Sequence, residues 1–347
     1  MSLGGANYDS YLGVDIGLSG IKIVELKKLD NKVVLATYGF NEQLQETVGN
    51  QAALDVKATA ATIKNVCRKA KTASNLSVAS LPTYAVFSSI ISVSEGLSKD
   101  DLAAAVRWEA KKVIPLSLDN VVLYWQKLDN LPAEPKTVKV LLVGAPSNLV
   151  KLYVDTFKAG QLSLLSMETE VFSLIRSLLG KDRSTNMIVQ IGGHSTNLFV
   201  IDQGAPLISR SLDVGGMAIT RAISKSMNVD LAKAEQFKLD LAAAADGGGL
   251  PKTIIDAIAP IVNEIKYILN AFGSKEGRVV ERLILTGGSA LLAGLTDYLG
   301  NTLKMAVVAG DPWFRINYPV ELKPVLDQIG PRMAVAIGLA MEEFDKT

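Results

Sequence analysis

Two segments half a chain apart share one pattern: YLGVDIGLSGIKIVEL at 11–26 and MIVQIGGHSTNLFVID at 187–202. Each has an apolar, β-branched strand that ends in Ile-Gly, a short turn of small polar residues, and a second apolar strand, which is typical of a β-hairpin. Asp15 and Gln190 hold the same place in the two segments, 190 − 15 = 175 residues apart. A duplication at this distance predicts two lobes whose turns face one cleft.

The first turn has the chemistry of a phosphate site. A carboxylate such as Asp15 at the end of a buried strand costs several kcal/mol unless a cation, a metal or backbone donors satisfy it. Glycines let the backbone approach an anion closely, so that N–H groups, a hydroxyl and a lysine could hold phosphate oxygens. The alternative is an ordinary hairpin whose aspartate caps its own turn. The candidate ligands are Gly17, Leu18, Ser19, Gly20 and Lys22.

A third glycine turn follows a third apolar strand. The segment 282–285 leads into Thr286, Gly287, Gly288 and Ser289 and then into a helical pattern, ALLAGLTDYLG. In a strand, glycine pair and helix of this kind, a flat part of a ligand can lie against bare backbone. Each turn alone is a weak signal, whereas the three in this order together indicate a nucleotide site.

This order of turns resembles that of the actin-fold ATPases over nearly the whole chain. GVDIGLSGIK is similar to their first phosphate loop, QIGGHST to the second and LTGGSALLAGL to the adenosine loop. Within that superfamily the chain resembles the PilM family of type IV pilus assembly proteins, relatives of the division protein FtsA. The segments that carry this resemblance are DLAAAVRWEAKKVIPLSL (101–118), VKVLLVGAPS (138–147), EVFSLIR (170–176), residues 213–238 and RMAVAIGLAM (332–341).

The resemblance implies an α/β fold: an actin-like (ribonuclease H-like), two-lobed fold with a small α+β insert of the FtsA/PilM type in the first lobe. It also implies ATP and Mg²⁺ as cofactors. The acidic and basic side chains of Glu235 and Lys238 are expected to approach the ribose and adenine; the alternative is a solvated i, i+3 ion pair. The remaining nucleotide contacts that the resemblance implies are Gly192, Gly193, His194, Ser195, Thr196, Gly215, Gly216, Gly287, Gly288 and Ser289.

The candidate catalytic residues are Asp15, Glu170 and Gln190. Asp15 can serve Mg²⁺ through water, and Glu170 lies near the position where the superfamily has its water-orienting group. Gln190 stands where an aspartate is usual, and a neutral amide is a poorer ligand for a hard dication. Its loss of charge should cost ~2–3 kcal/mol of metal and transition-state stabilisation, or ~10²-fold in turnover. We therefore expect a weak ATPase at most, unless Asp15 alone suffices because phosphates and water hold most of the metal.

The only histidine, His194, has no second histidine or cysteine near it in the sequence. Neither a zinc site nor a Ser/His pair can therefore be assembled around it. We expect its ring to cap the second turn or to touch phosphate.

The pattern divides the chain into six parts. These are an N-terminal tail (1–10), the first part of the first lobe (11–94), an insert (95–161), a crossing-helix region (162–185), the second lobe (186–330) and a closing helix that returns to the first lobe (331–347). Pro260 should kink or divide the long helix predicted at 251–272. The apolar, edge-strand character of the insert suits peptide docking by strand addition or in a groove. The alternative is that the insert merely thickens the lobe.

Composition bears on partners and compartment. The net charge of +1 gives no reason to expect nucleic acid or an anionic membrane as a partner. A single cysteine, Cys67, excludes an internal disulfide, and without a signal peptide the chain is expected to be cytoplasmic. It has no 18-residue apolar run, and its acidic end at 342–347 differs from the basic membrane helix of FtsA-like proteins. Any position at the membrane is therefore expected to come through a partner.

The favoured hypothesis is an ATP-binding scaffold for type IV pilus or related filament assembly. It would dock a short cytoplasmic tail of an inner-membrane protein resembling PilN, with pilus assembly ATPases and a second copy of itself as further possible partners. One alternative is a small-molecule kinase of the sugar or acetate type, for which Glu168 and Glu170 are the available carboxylates. Another is an ATP-dependent filament-forming relative of FtsA.

Overall fold

The computed structural model describes residues 10–42, 54–243 and 249–345. The polar connector predicted after the third strand and most of the loop predicted at 246–249 lie outside these ranges, as does the N-terminal tail up to residue 9. The strands are β1 (Ser10–Gly17), β2 (Gly20–Leu29), β3 (Lys32–Glu42), β4 (Leu76–Leu81), β5 (Phe87–Ser94), β6 (Val121–Lys127), β7 (Thr137–Pro146), β8 (Ser163–Thr169), β9 (Asn186–Ile191), β10 (Thr196–Asp202), β11 (Ala205–Leu212), β12 (Arg282–Thr286) and β13 (Ala306–Ala309). The helices are α1 (Val56–Ala70), α2 (Lys99–Val113), α3 (Ser147–Ala159), α4 (Glu170–Leu174), α5 (Gly216–Met227), α6 (Leu231–Ala243), α7 (Lys252–Glu276), α8 (Leu295–Leu303) and α9 (Lys323–Asp345).

Two five-stranded sheets repeat one topology. The first has the order β3-β2-β1-β4-β8 and the second β11-β10-β9-β12-β13. In each sheet the hairpin strands are antiparallel and the last three strands are parallel, joined by helical crossovers. The duplicated hairpins found in the sequence are β1/β2 and β9/β10, the equivalent strands of the two sheets. The predicted two-lobed actin-like fold is confirmed.

Each sheet is buried on both faces. In the first lobe, Val14 and Ile23 pack with α1 and α3 on one face, whereas Val24 and Leu26 pack with α9 on the other. In the second lobe, one face of β9, β10 and β12 packs against α5 and α7. Burial on both faces explains why these strands read as continuous apolar runs in the sequence.

The two lobes share a core. Val78 of the first lobe and Ile188 of the second pack in one cluster with Leu174 of α4 and Val335 of α9. A π-helical turn, Ile175–Leu179, continues α4 between the lobes. Helices α4 and α9 approach so closely that a Cβ on Gly338 would collide with the backbone of Ser173.

The insert consists of α2 packed on a three-stranded sheet of order β5-β7-β6. Its observed limits are 87–146, which differ from the predicted 95–161. Strand β5 belongs to the insert because it pairs with β7 along its whole length. Helix α3 belongs to the first lobe instead, since Tyr153 and Phe157 are buried against Ile63 of α1.

Three local predictions differ from the structure. Of the two outcomes expected at Pro260, a division of the helix is wrong: α7 continues through this exposed residue, so the carbonyl that proline leaves without an N–H partner can bind water. After the third glycine turn the helix α8 begins only at Leu295, preceded by Gly294 in the left-handed conformation. The closing helix α9 starts earlier than predicted and includes Pro331. Within the described ranges, none of the helices has the length and apolar content to cross a membrane.

Candidate functional site

The candidate residues lie where the parallel strands of both sheets end. Asp15 is near the carboxyl end of β1, Glu170 directly follows β8, and Gln190 is near the end of β9. Ligands of α/β proteins bind in the crevice outside these strand ends. The structure places one cavity there, lined by Asp15, Ile16, Gly17, Leu18, Ser19, Lys22, Pro82, Tyr84, Glu170, Gln190, Gly192, Gly193, His194, Ser195 and Asn197.

Asp15 is buried, with 5% of its surface exposed, and its charge is compensated by neighbours. The Oδ2 atom lies 3.5 Å from Nζ of Lys22, which is opposite Asp15 in the β1/β2 register. The hydroxyl of Ser80, at the end of β4, donates to Oδ1 at 3.3 Å. These contacts meet the cost of burying the carboxylate and leave it at the cavity wall, where a cation or water can reach it.

The first and second turns touch across the cleft. A Cβ on Gly193 would meet the side chain of Ser19, so glycine lets the two turns approach this closely. Behind the second turn, Gly216 N–H donates to the Gly192 carbonyl at 2.8 Å, and a Cβ on Gly215 would collide with backbone atoms of the same turn. The start of α5 therefore fixes the second turn.

Two predicted phosphate ligands lie outside this cavity. Thr196 is fully buried, and its hydroxyl donates to the Val214 carbonyl at 2.7 Å. Gly20 pairs with Gly17 at the end of the hairpin and lines a neighbouring groove instead. Thr196 and Gly20 therefore support the two turns through contacts that lie outside the cavity.

Glu170 accepts three hydrogen bonds on one carboxyl oxygen. Its Oε2 receives the Thr83 N–H at 3.1 Å, the Thr83 hydroxyl at 2.5 Å and the Asn197 Nδ2–H at 2.8 Å. Burial, and then the negative charge of Asp15, raise the pKa of Glu170 to about 7, against the opposing effect of the Thr83 bonds. Its carboxyl group can therefore exchange a proton near neutral pH, as a group that activates water must.

Asn197 joins Glu170 to Gln190 and was missed by the sequence analysis. Its Nδ2 also donates to Gln190 Oε1 at 3.2 Å. Its Oδ1 is buried at the cavity wall and has no hydrogen-bond partner in the described part of the chain. An orphaned buried acceptor beside the Glu170 carboxyl group and the Gln190 amide indicates a place for a water or another donor. The signal in the sequence was a polar residue directly before the apolar run 198–201 of β10.

The carboxylates do not form a protein cage for a metal. Among the described residues, no group of three or more His, Cys, Asp or Glu side chains converges. With neutral Gln190 beside Asp15, the residues present fit a Mg²⁺ ion held mainly by phosphate oxygens and water, with Asp15 as the outer ligand.

His194 faces the cavity from the second turn. Its Nε2 is buried and has no hydrogen-bond partner among the described atoms. Burial, and then the positive charge of Arg221, lower the pKa of His194, so its ring is neutral at pH 7. A neutral imidazole with a free Nε2 is suited to a hydrogen bond with a phosphate oxygen.

The third turn adjoins the second from the other side. Gly287 has a φ of +89°, and its Cβ would collide with Ile191 at the end of β9, whereas Gly288 faces open space. Ser289 is buried against Gly216, next to Lys238. The three turns are therefore contiguous.

Glu235 and Lys238 form an i, i+3 ion pair, but it is not the solvated pair that was the alternative explanation of their spacing. The Nζ of Lys238 lies 2.7 Å from Glu235 Oε2 and donates to the Gly216 carbonyl at 3.3 Å, while Thr220 donates to the same Glu235 oxygen at 2.5 Å. The pair is shielded from solvent and packs beside Gly216, between the second and third turns. The approach of this pair to the ribose and adenine stays a prediction.

Comparison with known proteins agrees with this geometry. Residues 13–344 match the family model described as type IV pilus assembly protein PilM. Curated relatives include the cell shape-determining protein Mbl of Bacillus subtilis (strain 168), 25% identical over 210 residues, and the cell division protein FtsA of Neisseria meningitidis serogroup B (strain ATCC BAA-335 / MC58), 26% identical over 176 residues. These alignments cover 49% and 44% of this chain but 63% and 41% of the relatives, less than two thirds of their length.

Solved structures agree as well. A structure titled PilM-PilN type IV pilus biogenesis complex superposes with a TM-score of 0.81 at 27% identity, covering 95% of this chain and 97% of that one. The MreB5 protein of Spiroplasma citri bound to AMPPNP superposes with a TM-score of 0.54 at 13% identity, covering 97% of each chain. The second likeness shows the fold alone.

Proposed function

The chain belongs to the PilM family of type IV pilus assembly proteins, and from this premise we propose that it is an ATP-binding scaffold with slow or absent hydrolysis. In this proposal it works at the cytoplasmic face of the inner membrane, held there by the cytoplasmic tail of a PilN-like protein. The observation that carries the nucleotide part is the convergence of two matching turns on one cavity, with the third turn alongside.

The proposed binding mode follows from the three turns. Backbone N–H groups of the first and second turns surround the polyphosphate, and Lys22 and neutral His194 add a charge and a hydrogen bond. The base lies against Gly288, where the backbone is open, and the pair Glu235–Lys238 lies on the ribose side. Asp15 would hold Mg²⁺ through water, and the ion would neutralise charge on the phosphates.

The slow turnover follows from the charges of the site. Glu170 can accept a proton from an attacking water that Asn197 Oδ1 helps to hold. However, Gln190 contributes no charge beside Asp15, so the metal and the transition state receive less stabilisation than with two carboxylates. Nucleotide then acts chiefly by favouring one conformation of the protein over another.

Calorimetric titration with ATP and Mg²⁺ tests the nucleotide part. We expect saturable binding to the parent protein and at least tenfold weaker binding to Gly288→Trp, which fills the space proposed for the base. Gly249→Trp is the matched control, since Gly249 also faces open space. Absence of binding to the parent, or equal binding to the two variants, contradicts the proposed mode.

A groove between the first lobe and the insert supports the partner part. It offers about 1050 Å³ of space between α1, α3 and the turn that precedes β5. Most of its side chains are apolar or neutral, and Asp55 is the only charged one among the described residues that line it. Such a groove is suited to a short, largely uncharged peptide. We propose that it holds the tail of the PilN-like partner.

Peptide binding measured by fluorescence anisotropy tests the groove. A labelled peptide with the sequence of the partner's cytoplasmic tail should bind the parent protein and lose at least tenfold in affinity to Leu116→Arg. Leu165→Arg is the control, because Leu165 is equally exposed, at 45% against 42%, and does not line the groove. Unchanged affinity in Leu116→Arg would place the tail elsewhere.

A further inference from the structure

The outer face of α2 is aromatic and basic. Trp108 lies there with 63% of its surface exposed, although tryptophan is a largely buried residue on average. It is on the opposite side of the helix from Leu102, Val106 and Ala110, which are buried in the core of the insert. The Nζ of Lys112 lies 5.9 Å from the centre of its ring. Folding of the insert therefore uses one face of α2 and leaves Trp108 uncovered on the other.

The charges of α2 are separated along the helix. Asp100 and Asp101 are in the first turn, whereas Arg107, Lys111 and Lys112 are in the last two turns. At 1.5 Å per residue, the lysines lie about 15 Å from the aspartates along the helix axis, farther than a Debye length of about 8–10 Å. The overall charge of the chain, +1, conceals this local group of basic residues around the indole.

Two ion pairs at this end of α2 leave positive charge at its surface. Lys112 Nζ lies 2.6 Å from Glu109 Oε1, and Arg107 Nη2 lies 3.7 Å from Asp119 Oδ1. Both pairs are open to water, where such contacts are weak. Lys111 is exposed and takes part in no ion pair among the described residues. Because residues three and four apart are neighbours on a helix, both lysines lie beside the indole.

This combination of side chains is suited to the headgroup layer of a bilayer. Indole rings are enriched at that depth, because the ring is apolar and its N–H edge is polar. A basic side chain close to an anionic surface raises affinity about fivefold. The face is also convex, since it is the outside of a helix. A fluid headgroup layer can cover such a surface, whereas a folded protein would need a matching pocket.

The face adjoins the groove proposed for the partner's tail. Val113, the last residue of α2, is exposed, and Leu116, three residues later, lines the groove. A tail that leads from an inner-membrane protein into this groove would keep the same part of the insert close to the bilayer.

We propose that Arg107, Trp108, Lys111 and Lys112 form a lipid-binding face that contacts anionic phospholipid directly. This contact is a second attachment to the membrane, beside the one through the partner's tail, and two attachments together hold more firmly than either alone. Only the position of the face at the inner membrane rests on the proposed function. The binding of lipid itself needs neither nucleotide nor tail.

Co-sedimentation of the full chain with phospholipid vesicles tests this face, with nucleotide and tail peptide both absent. We expect at least 20-fold stronger partitioning to phosphatidylcholine vesicles that contain phosphatidylglycerol than to phosphatidylcholine alone, and a decrease as salt is raised. Lys111→Gln/Lys112→Gln should lose about 20-fold in partitioning, since each lysine contributes about fivefold. Trp108→Ala should lose at least threefold. The three side chains are exposed, so the melting curves of both variants should match the parent's.

Two control variants carry the same changes elsewhere on the surface. Tyr267→Ala removes an aromatic ring that is 60% exposed and has Arg210 over it at 6.0 Å, on α7 of the second lobe. Lys252→Gln/Lys323→Gln removes two exposed lysines from the first turns of α7 and α9. Both variants should keep the parent's preference for phosphatidylglycerol.

Brominated phosphatidylcholine, mixed into the same vesicles, shows whether the indole reaches the lipid, because bromine quenches tryptophan fluorescence at short range. Trp313 is buried and Trp125 is half-buried, so the quenching should come from Trp108. It should be absent in Trp108→Phe.

Parent protein without a preference for phosphatidylglycerol overturns the inference, as does a lysine variant that partitions like the parent. Glycerol 3-phosphate should not displace the protein from the vesicles; displacement would assign the face to a free phosphate compound instead. A glutamate polymer that binds through the same lysines, without binding of vesicles, would assign the face to an acidic protein and also overturn the inference. These results are distinct from failure of the proposed function, since neither ATP nor the tail peptide is used.

Discussion

Glu170 shows how one side chain acquires its properties from distant parts of the chain. Its donors come from Thr83, 87 residues away, and from Asn197, 27 residues away. Burial raises its pKa, and so does the negative charge of Asp15, which lies in β1. A carboxyl group with a raised pKa in a cleft is a typical sign of a functional site.

The pKa of Glu170 predicts a pH-dependent stability. Because the pKa is about 7 in the folded protein and 4.5 in the ordinary group, the folded state holds the proton more tightly. The contribution of Glu170 to stability is therefore full below pH 4.5 and is lost as pH rises through 7. Relative to the parent, Glu170→Gln should gain about 1–3 kcal/mol in free energy of unfolding between pH 5.5 and pH 8.5.

Urea denaturation of the ligand-free proteins at the two pH values measures this difference. Glu134→Gln serves as a control, since Glu134 is exposed in a loop of the insert. A gain that is the same at both pH values would show that Glu170 does not titrate in this interval.

The backbone atoms around Gly215 predict how much stability and MgATP affinity are lost when the second turn is displaced. A Cβ there would meet the carbonyls of Gly192 and Gly193 and the N–H of Ser195, all of which are backbone atoms that cannot rotate away. Gly215→Ala should therefore cost about 1–3 kcal/mol of stability and at least tenfold in MgATP affinity, because it displaces the phosphate-binding turn.

Gly249→Ala should leave both properties of the protein unchanged, since nothing lies within 4 Å of the added Cβ. Melting curves and calorimetry on the two variants make the comparison. Equal MgATP affinities would mean that the turn fixed by Gly215 does not hold the nucleotide.

The places of residues at strand ends and in turns could be predicted from local pattern, whereas contacts that depend on long-range packing could not. The sequence marked Asp15, Gln190 and the glycines because they end apolar strands. It gave no sign of Thr83, and none that Thr196 would point away from the cavity toward Val214. These roles arise only when separate strands and helices meet.

At the scale of elements, the crossing of α4 and α9 carries the connection between the lobes. Most hairpins and helices were predicted, because an alternating or helical apolar pattern is a local property. The limits of the insert were not, since the pairing of β5 with β7 links residues about 50 apart. Strand β13, of only four residues, escaped prediction because its pairing with β12 gives it its structure.

The contact between Gly338 of α9 and Ser173 of α4 predicts that these two helices must pack closely. Gly338→Ala should destabilise the protein by about 3 kcal/mol, because its Cβ would enter the backbone of Ser173. Gly300→Ala is the control within a helix: its Cβ would make only an ordinary contact at 3.5 Å, so the change should be neutral or stabilising by up to about 1 kcal/mol. Chemical denaturation of both variants decides; equal stabilities would mean that α4 and α9 can move apart at little cost.

At the scale of the whole molecule, the shared core makes the lobes one cooperative unit, whereas the insert has a core of its own. The insert's apolar cluster lies between α2 and its sheet. A smaller cluster around Leu141 and Ala205 joins the insert to the second lobe. Regions with separate cores and small interfaces open at lower free energy than the rest of a protein.

The three tryptophans allow the unfolding of the insert to be measured separately from that of the lobes. Trp108 and Trp125 lie in the insert, and Trp313 is buried in the first lobe. In Trp108→Phe/Trp125→Phe, the Trp313 signal should report one transition for both lobes, coincident with the main loss of helical circular dichroism. In Trp313→Phe, the insert tryptophans should report a transition at lower urea concentration.

MgATP at about 100 times its Kd should stabilise the lobes by about 2.7 kcal/mol, since it binds only the folded state. The insert transition should move less, because the insert adds few groups to the cavity. Coincident transitions that shift equally would show that lobes and insert unfold together, and that the insert is an integral part of the nucleotide-binding unit.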